Sequence, residues 1–227
     1  MTLDKATMKR YFQVFFTLLL QAAFFFFAAN TLDVPRGWLY FGISLLFLLG
    51  NATVLSKFAP DVVRARGEIK QMRSWDLVIG VVYMICLLLT PVMAGLDVGR
   101  FHWSVLGTEY EVFGILIYTI GEGLAMWSMM VNPFFECTVR IQKDRGQKVI
   151  ATGPYAFIRH PGYVGIALIS LAPPLIIGSG YAFIPAFGVV VALIGRTYFE
   201  DRTLNDELDG YKEYSKKVKF RLIPGIW

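Results

Sequence analysis

Charge is what this sequence has little of. Only 17% of its 227 residues are Asp, Glu, Lys or Arg, where a water-soluble domain carries about 25%. With 56% hydrophobic residues beside it, that shortage excludes an ordinary soluble domain and makes lipid the expected solvent. Cysteine is nearly absent: Cys86 sits in an apolar run and Cys137 near the end of another. Two such thiols exclude a disulfide scaffold. His102 and His160 are the only histidines; so far apart, and with no cysteine cluster, they do not make a structural zinc site. No Gly-x-Gly-x-x-Gly follows a strand-like run, so a Rossmann-type nucleotide site is not offered. Low-complexity tracts and a soluble second domain are missing too. The apolar run after Arg10 is too long for a signal core, so no cleavable signal peptide is expected. The net charge of +5 does not call for a nucleic-acid partner, because basic loops on a membrane chain record topology and contact with anionic lipid.

What is present is a series of long apolar runs. A spanning helix needs about 20 mostly apolar residues. Such runs cover Tyr11–Asn30, Gly37–Ser56, Trp75–Gly95 with Pro91 near its end, Tyr110–Val131, Tyr163–Ile177 and Tyr181–Tyr198. The Gly178-Ser179-Gly180 turn between the last two predicts an antiparallel hairpin, and Pro173-Pro174 and Pro185 predict kinks near it. Basic connections alternate with nearly neutral ones. Lys5, Lys9 and Arg10 precede the first span; Asp33 and Arg36 follow it. Lys57, Arg64, Arg66, Lys70 and Arg73 follow the second span, and Arg100, set against Asp97 and Glu109, follows the third. Arg140, Lys143, Arg145, Lys148 and Arg159 follow the fourth, and Arg202 to Arg221 form a basic tail. The expected fold is all-α, a polytopic membrane bundle of about six transmembrane helices with both termini cytoplasmic. It reads as one integral membrane domain over 1–227, with four spans in 1–131 and a catalytic half in 132–227. Lys57–Arg73 is expected to be an interfacial helix. Leu204, Leu208, Tyr211, Tyr214 and Val218, at spacings of three or four, predict a helix over Leu204–Val218 on the inner face.

Chemistry-bearing residues gather in the second half. The stretch Asn132–Tyr163 is long for a connection in so compact a chain, and its aromatics and Gly153-Pro154 argue for an ordered, functional loop. Arg196 and Glu200 stand four apart, on one face of the sixth span at its inner end, where ionisable groups are costly unless paired or facing a polar cavity. The short hairpin turn should bring His160 and Tyr163 beside them. Arg159 is equally suited to meeting phosphate headgroups, and Asp201-Arg202 to opening a solvated tail helix. His102-Trp103, on the opposite side, reads as structural. No charged group stands out near a span's midpoint and no internal repeat is seen, which ranks a transporter or scaffold last.

Arg159-His160-Pro161-Gly162-Tyr163-Val164-Gly165 resembles the Arg-His-Pro-x-Tyr-x-Gly signature of the isoprenylcysteine carboxyl methyltransferase family. Arg196-x-x-x-Glu200-Asp201, with Gly210-Tyr211-x-x-Tyr214 and Ile223-Pro224 after it, is similar to the same family's C-terminal signature. The resemblance covers roughly Asn132 to Trp227. It implies a helical membrane bundle whose S-adenosyl-L-methionine pocket lies at the cytosolic side under the C-terminal segment. By that resemblance Gln147, Lys148, Val149, Ile150 and Tyr155 line the pocket. His160, Pro161, Gly162 and Tyr163 contact the cofactor, Glu200 holds a polar group of it, and Gln142 (or, alternatively, Arg140) reaches it from the loop. Arg196 is then the catalytic residue facing the acceptor.

The expected activity is an S-adenosylmethionine-dependent methyltransferase. Its acceptor is lipidic, entering from the bilayer; by resemblance it is a prenylcysteine-like carboxylate. No obligate protein partner is expected. A carboxylate acceptor needs orientation rather than a base, which suits a guanidinium fork. An amine or hydroxyl acceptor would need a base such as Glu200 or His160. A phospholipid or other small-acceptor methyltransferase is the first alternative. A sterol-type membrane reductase using NADPH is the second.

Overall fold

The computed structural model describes residues 5–67 and 72–227. The described residues form eight α-helices and no strand: α1 (Lys5–Ala29), α2 (Pro35–Phe58), α3 (Pro60–Gly67), α4 (Ser74–Gly95), α5 (Thr108–Val131), α6 (Pro161–Ile177), α7 (Phe183–Glu207) and α8 (Tyr211–Lys217). Among these, α1, α2, α4, α5 and α7 are long and apolar enough to cross a membrane, and α6 is a shorter apolar helix. The polytopic helical bundle read from the sequence is what forms. At 17 residues, α6 spans about 25 Å. Pro161 opens it at the first helical position, and Gly178 closes it at φ +94.

The bundle is held by polar bonds that repair helix defects, as an apolar solvent requires. Pro91 lies inside α4 and cannot donate to Leu87 O; Gln21 Nε2 of α1 reaches that carbonyl at 3.2 Å instead. The carbonyls of Leu175 and Ile176 at the C-terminal end of α6 accept from Arg36 at 2.8 Å each, and Arg36 is itself paired with Glu111 at 2.9 Å. Thus the one arginine of the first connection is a helix cap. Asp97 sits in a π-helical extension of α4, Leu96–Phe101. Fully buried, it accepts from the Ser104 backbone and hydroxyl and from Ser179 Oγ, tying that extension to the α6–α7 turn.

Packing follows small residues. α6 lies chiefly along α5, and α7 chiefly along α4, so the α6–α7 hairpin is splayed between two neighbours. At the α5–α6 crossing Gly121 and Gly165 face each other; a Cβ on Gly165 would stand 2.7 Å from Gly121 O. Such close approach is the usual way helices associate in lipid.

Several expectations need correction. The single tail helix over Leu204–Val218 is two. α7 runs on to Glu207, Gly210 takes a left-handed turn at φ +79, and α8 restarts at Tyr211. The spacing still found the buried side, since Leu208, Tyr211 and Tyr214 form one cluster with Leu204 and Val218 against it. The expected interfacial helix over 57–73 is confined, among described residues, to α3; Lys70 lies outside the described residues. A charged group does lie near a span's midpoint: Glu122, midway along α5, accepts from Asn51 Nδ2 of α2 at 2.7 Å. The sequence hid it because one carboxylate among apolar neighbours leaves the span's hydropathy high.

Candidate active site

The loop between α5 and α6 lies over the start of α6 and the end of α7, with α8 closing its side. Asn132 caps the turn that follows α5, its Oδ1 accepting from Phe134 N at 2.9 Å and its Nδ2 donating to Tyr155 Oη at 3.1 Å. A short 3-10 turn, Gly153–Ala156, carries Tyr155, whose carbonyl accepts from Tyr214 Oη at 2.7 Å. Both phenols are buried, and burial pushes their ionisation above the ordinary tyrosine range. Between loop, α8 and the helix ends lies a cavity partly open to solvent.

Most residues singled out in the sequence meet there. Gln142, Gln147, Lys148, Val149, Ile150, Tyr155, His160, Gly162, Tyr163 and Glu200 all line the cavity. Pro161 does not; it is buried one residue behind the wall, setting the start of α6. Gly162 is where Phe135 enters: a Cβ would stand 2.4 Å from the ring edge, so only glycine lets that aromatic form the wall. Gln142 is 2% exposed and its amide is already engaged. Nε2 donates to Phe134 O and Oε1 accepts from Arg145, both at 2.7 Å. Arg140 also lines the cavity, with its guanidinium held between Glu136 and Asp144. Those two carboxylates raise its already high pKa further.

Glu200 and Tyr163 make the most direct link between α6 and α7. The Tyr163 hydroxyl donates to Glu200 Oε2, and the His160 ring stacks on Tyr163 at 5.7 Å with its Nδ1 4.0 Å from Glu200 Oε1. No lysine or arginine pairs with Glu200 among the described residues.

Arg196 lies outside the cavity wall. Its guanidinium sits 5.7 Å over the Tyr163 ring. Its Nε is 2.9 Å from Asp76 Oδ1 of α4, and its Nη2 donates to Cys137 O at 2.5 Å. Asp76, 1% exposed, also accepts from Val139 N at 2.8 Å. Asp76 was not singled out in the sequence. It is the third residue after Arg73 at the start of an apolar span, and nothing in one dimension connects it with Arg196 120 residues away.

The second surprise is Asp201. Its place in a solvated tail helix is overturned: it is 2% exposed and receives Arg159 twice, Tyr211, Arg221 and His160. Arg159, likewise, is buried rather than turned to headgroups. Its Nη1 donates to the carbonyls of Ser215, Val218 and Lys219, capping the end of α8. Arg202, by contrast, is solvated and, among the described residues, pairs with Asp206 at 3.9 Å. Beyond α8 the tail returns across the loop, where Phe220 O and Arg221 O accept from the Arg159 and His160 backbone at 3.0 Å each.

This arrangement coincides with a known sequence pattern. Residues 114–206 match the isoprenylcysteine carboxyl methyltransferase (ICMT) family. Over that segment the chain is similar to that family. The human protein-S-isoprenylcysteine O-methyltransferase is 30% identical over 119 residues, which cover 49% of this chain and 40% of the human protein. The Schizosaccharomyces pombe protein of the same name is 23% identical over 207 residues, 80% of this chain and 84% of the yeast protein. The match to the human relative thus spans well under two thirds of that protein's length. The family segment runs from the middle of α5 through the end of α7. It holds the loop, the His160 corner and the Glu200 face, while Asp76, Arg10 and Arg66 lie outside it.

Proposed function

We propose that this chain is an S-adenosylmethionine-dependent methyltransferase whose acceptor is carried in the membrane, by its likeness to its named relatives a prenylcysteine-type carboxylate. The observation that carries the reading is the Glu200 carboxylate at the cavity wall, with no Lys or Arg in ion-pair contact with it among the described residues. A carboxylate in such a place is suited to a ligand cation, and the cofactor offers two, an ammonium and a sulfonium. Tyr155 and Phe134 supply flat apolar wall for a purine. Gln147, Lys148, Val149, Ile150, His160, Gly162 and Tyr163 would complete the contacts. Pro161 would act by setting the helix start, and Gln142 by holding the loop.

When bound, S-adenosylmethionine would supply an electrophilic methyl group. The remaining work falls to this chain. Tyr163 orients Glu200 through its hydroxyl. The loop and α8 shield the site on two sides, and catalysis rests on alignment. Arg196, with Nη1 making no hydrogen bond among the described residues, is the group suited to orient an anionic acceptor arriving from the bilayer. The basic residues that gather at this end of the bundle support, by the positive-inside rule, a cytoplasmic placement of the site and both termini.

Thermal protection of the purified chain by S-adenosylmethionine and not by NADPH is expected. Labelled methyl donor should then mark acetyl-S-farnesylcysteine. Label appearing only in a total lipid extract would move the acceptor to a phospholipid, and protection by NADPH alone would overturn the methyltransferase reading.

A further inference from the structure

Beside the cavity, near the starts of α1 and α4 and the ends of α3 and α7, the chain gathers positive charge that outnumbers its carboxylate partners among the described residues. α3 ends directly on the first turns of α1: a Cβ on Gly67 would stand 2.1 Å from Ala6 O. Arg66 therefore lies against α1, and Arg10 follows one turn after Ala6 on α1, close enough to Arg66 for the two charges to repel. Cys137 joins this pair to Arg196. Its Sγ is 3.7 Å from Arg66 O, and its carbonyl accepts from Arg196. The Arg66 guanidinium stacks on Phe135 at 5.1 Å, the same ring that walls the cavity at Gly162.

The charges do not balance. Of the three guanidiniums around Cys137, only that of Arg196 is paired with a carboxylate among the described residues, Asp76. Glu136 is nearby and already holds Arg140 and Arg145. The guanidiniums of Arg10 and Arg66 make no hydrogen bond or ion pair to any described residue. Their field is felt at Cys137: burial pushes that thiol up, and Arg66, Arg10 and Arg196 together outweigh it and hold it below the ordinary thiol range. Like charges converge at membrane depth only where something negative sits among them.

We infer that Arg10 and Arg66, with Arg196, form an oxyanion seat for the acidic head of a membrane-borne amphiphile, a phosphate or a carboxylate on a lipid tail. The seat rests on the membrane placement of the helices and not on methyl transfer. Guanidiniums match both oxyanions with forked hydrogen bonds, and the position between bilayer and cavity suits a molecule whose tail stays in lipid. If the head is the acceptor's carboxylate, the same seat selects the substrate.

The test uses the full chain in nanodiscs of phosphatidylcholine with and without phosphatidylglycerol, with bound lipid read by native mass spectrometry. The native chain should retain phosphatidylglycerol over phosphatidylcholine, and Arg10→Gln/Arg66→Gln should weaken that retention about tenfold, the order expected from one lost charge-assisted hydrogen bond. Arg10→Lys/Arg66→Lys should keep part of it. Thermal melting in phosphatidylcholine alone guards against misfolding. Removing the two charges there should leave the midpoint unchanged or raise it; a lowered midpoint would mean the arginines are structural and overturn the proposal. Displacement of bound phosphatidylglycerol by acetyl-S-farnesylcysteine, and not by its methyl ester, assigns the seat to the acceptor carboxylate; no displacement assigns it to lipid phosphate. Equal retention of both phospholipids, with no arginine-dependent binding of the farnesylcysteine, overturns it. Failure of S-adenosylmethionine to protect the chain would leave these lipid readouts standing, so the two proposals fail separately.

Discussion

Arg159 and Asp201 form a two-point ion pair between the loop before α6 and the inner end of α7, with Nε 2.8 Å from Oδ1 and Nη2 3.0 Å from Oδ2. Because the same guanidinium caps α8 and the same carboxylate holds Tyr211 and Arg221, this one contact locks helix, loop and tail around the cavity. Asp201→Asn should therefore cost about 3–5 kcal/mol, the range for breaking a buried pair from one side. Thermal melting would report the loss, and limited proteolysis should cut first in the tail after Lys217.

Glu200→Gln keeps the shape and the Tyr163 contact while removing the charge. It should weaken S-adenosylmethionine binding about tenfold or more, as expected where a carboxylate meets a ligand cation, with little change in melting temperature. Calorimetry of the two proteins side by side is the measurement; unchanged affinity would remove Glu200 from the cofactor's contacts.

Arg196→Ala should preserve cofactor binding and abolish turnover, since the residue lies off the cavity wall. Its partner tests the structural share of that role. Asp76→Asn leaves a guanidinium unneutralised and should cost about 3–5 kcal/mol. The double change Asp76→Leu/Arg196→Met should melt higher than the sum of the single changes implies. Additive losses would show that the pair is not coupled.

Cys137 should be alkylated by iodoacetamide with a pH midpoint below that of an ordinary thiol. The positive field around it favours thiolate, so taking a positive charge away must raise the midpoint. Arg66→Gln in a Cys86→Ala background should do so. A midpoint that stays put would place Arg66 away from the thiol.

Gly165→Ala should cost about 1–3 kcal/mol by overpacking, because the added carbon meets Gly121 O at 2.7 Å and Ala125 N at 2.8 Å, backbone that cannot swing aside. Gly123→Ala, which meets nothing within 4 Å, is the control in the same thermal melt.

By itself the sequence determined the solvent, the helices and one end of the site. Apolar runs of spanning length have no other way to satisfy their backbone in lipid, so their number could be counted along the chain. A five-residue connection, 178–182, leaves the ends of α6 and α7 little choice, so the nearness of Tyr163 to Glu200 could be read from spacing. Only the tertiary structure decided which charges are neutralised and by whom. Asp76 with Arg196, Asp201 with Arg159, Arg36 on the last carbonyls of α6 and Arg10 beside Arg66 join residues distant in sequence. Coulomb energy depends on separation in space and on burial, and neither is written in residue order.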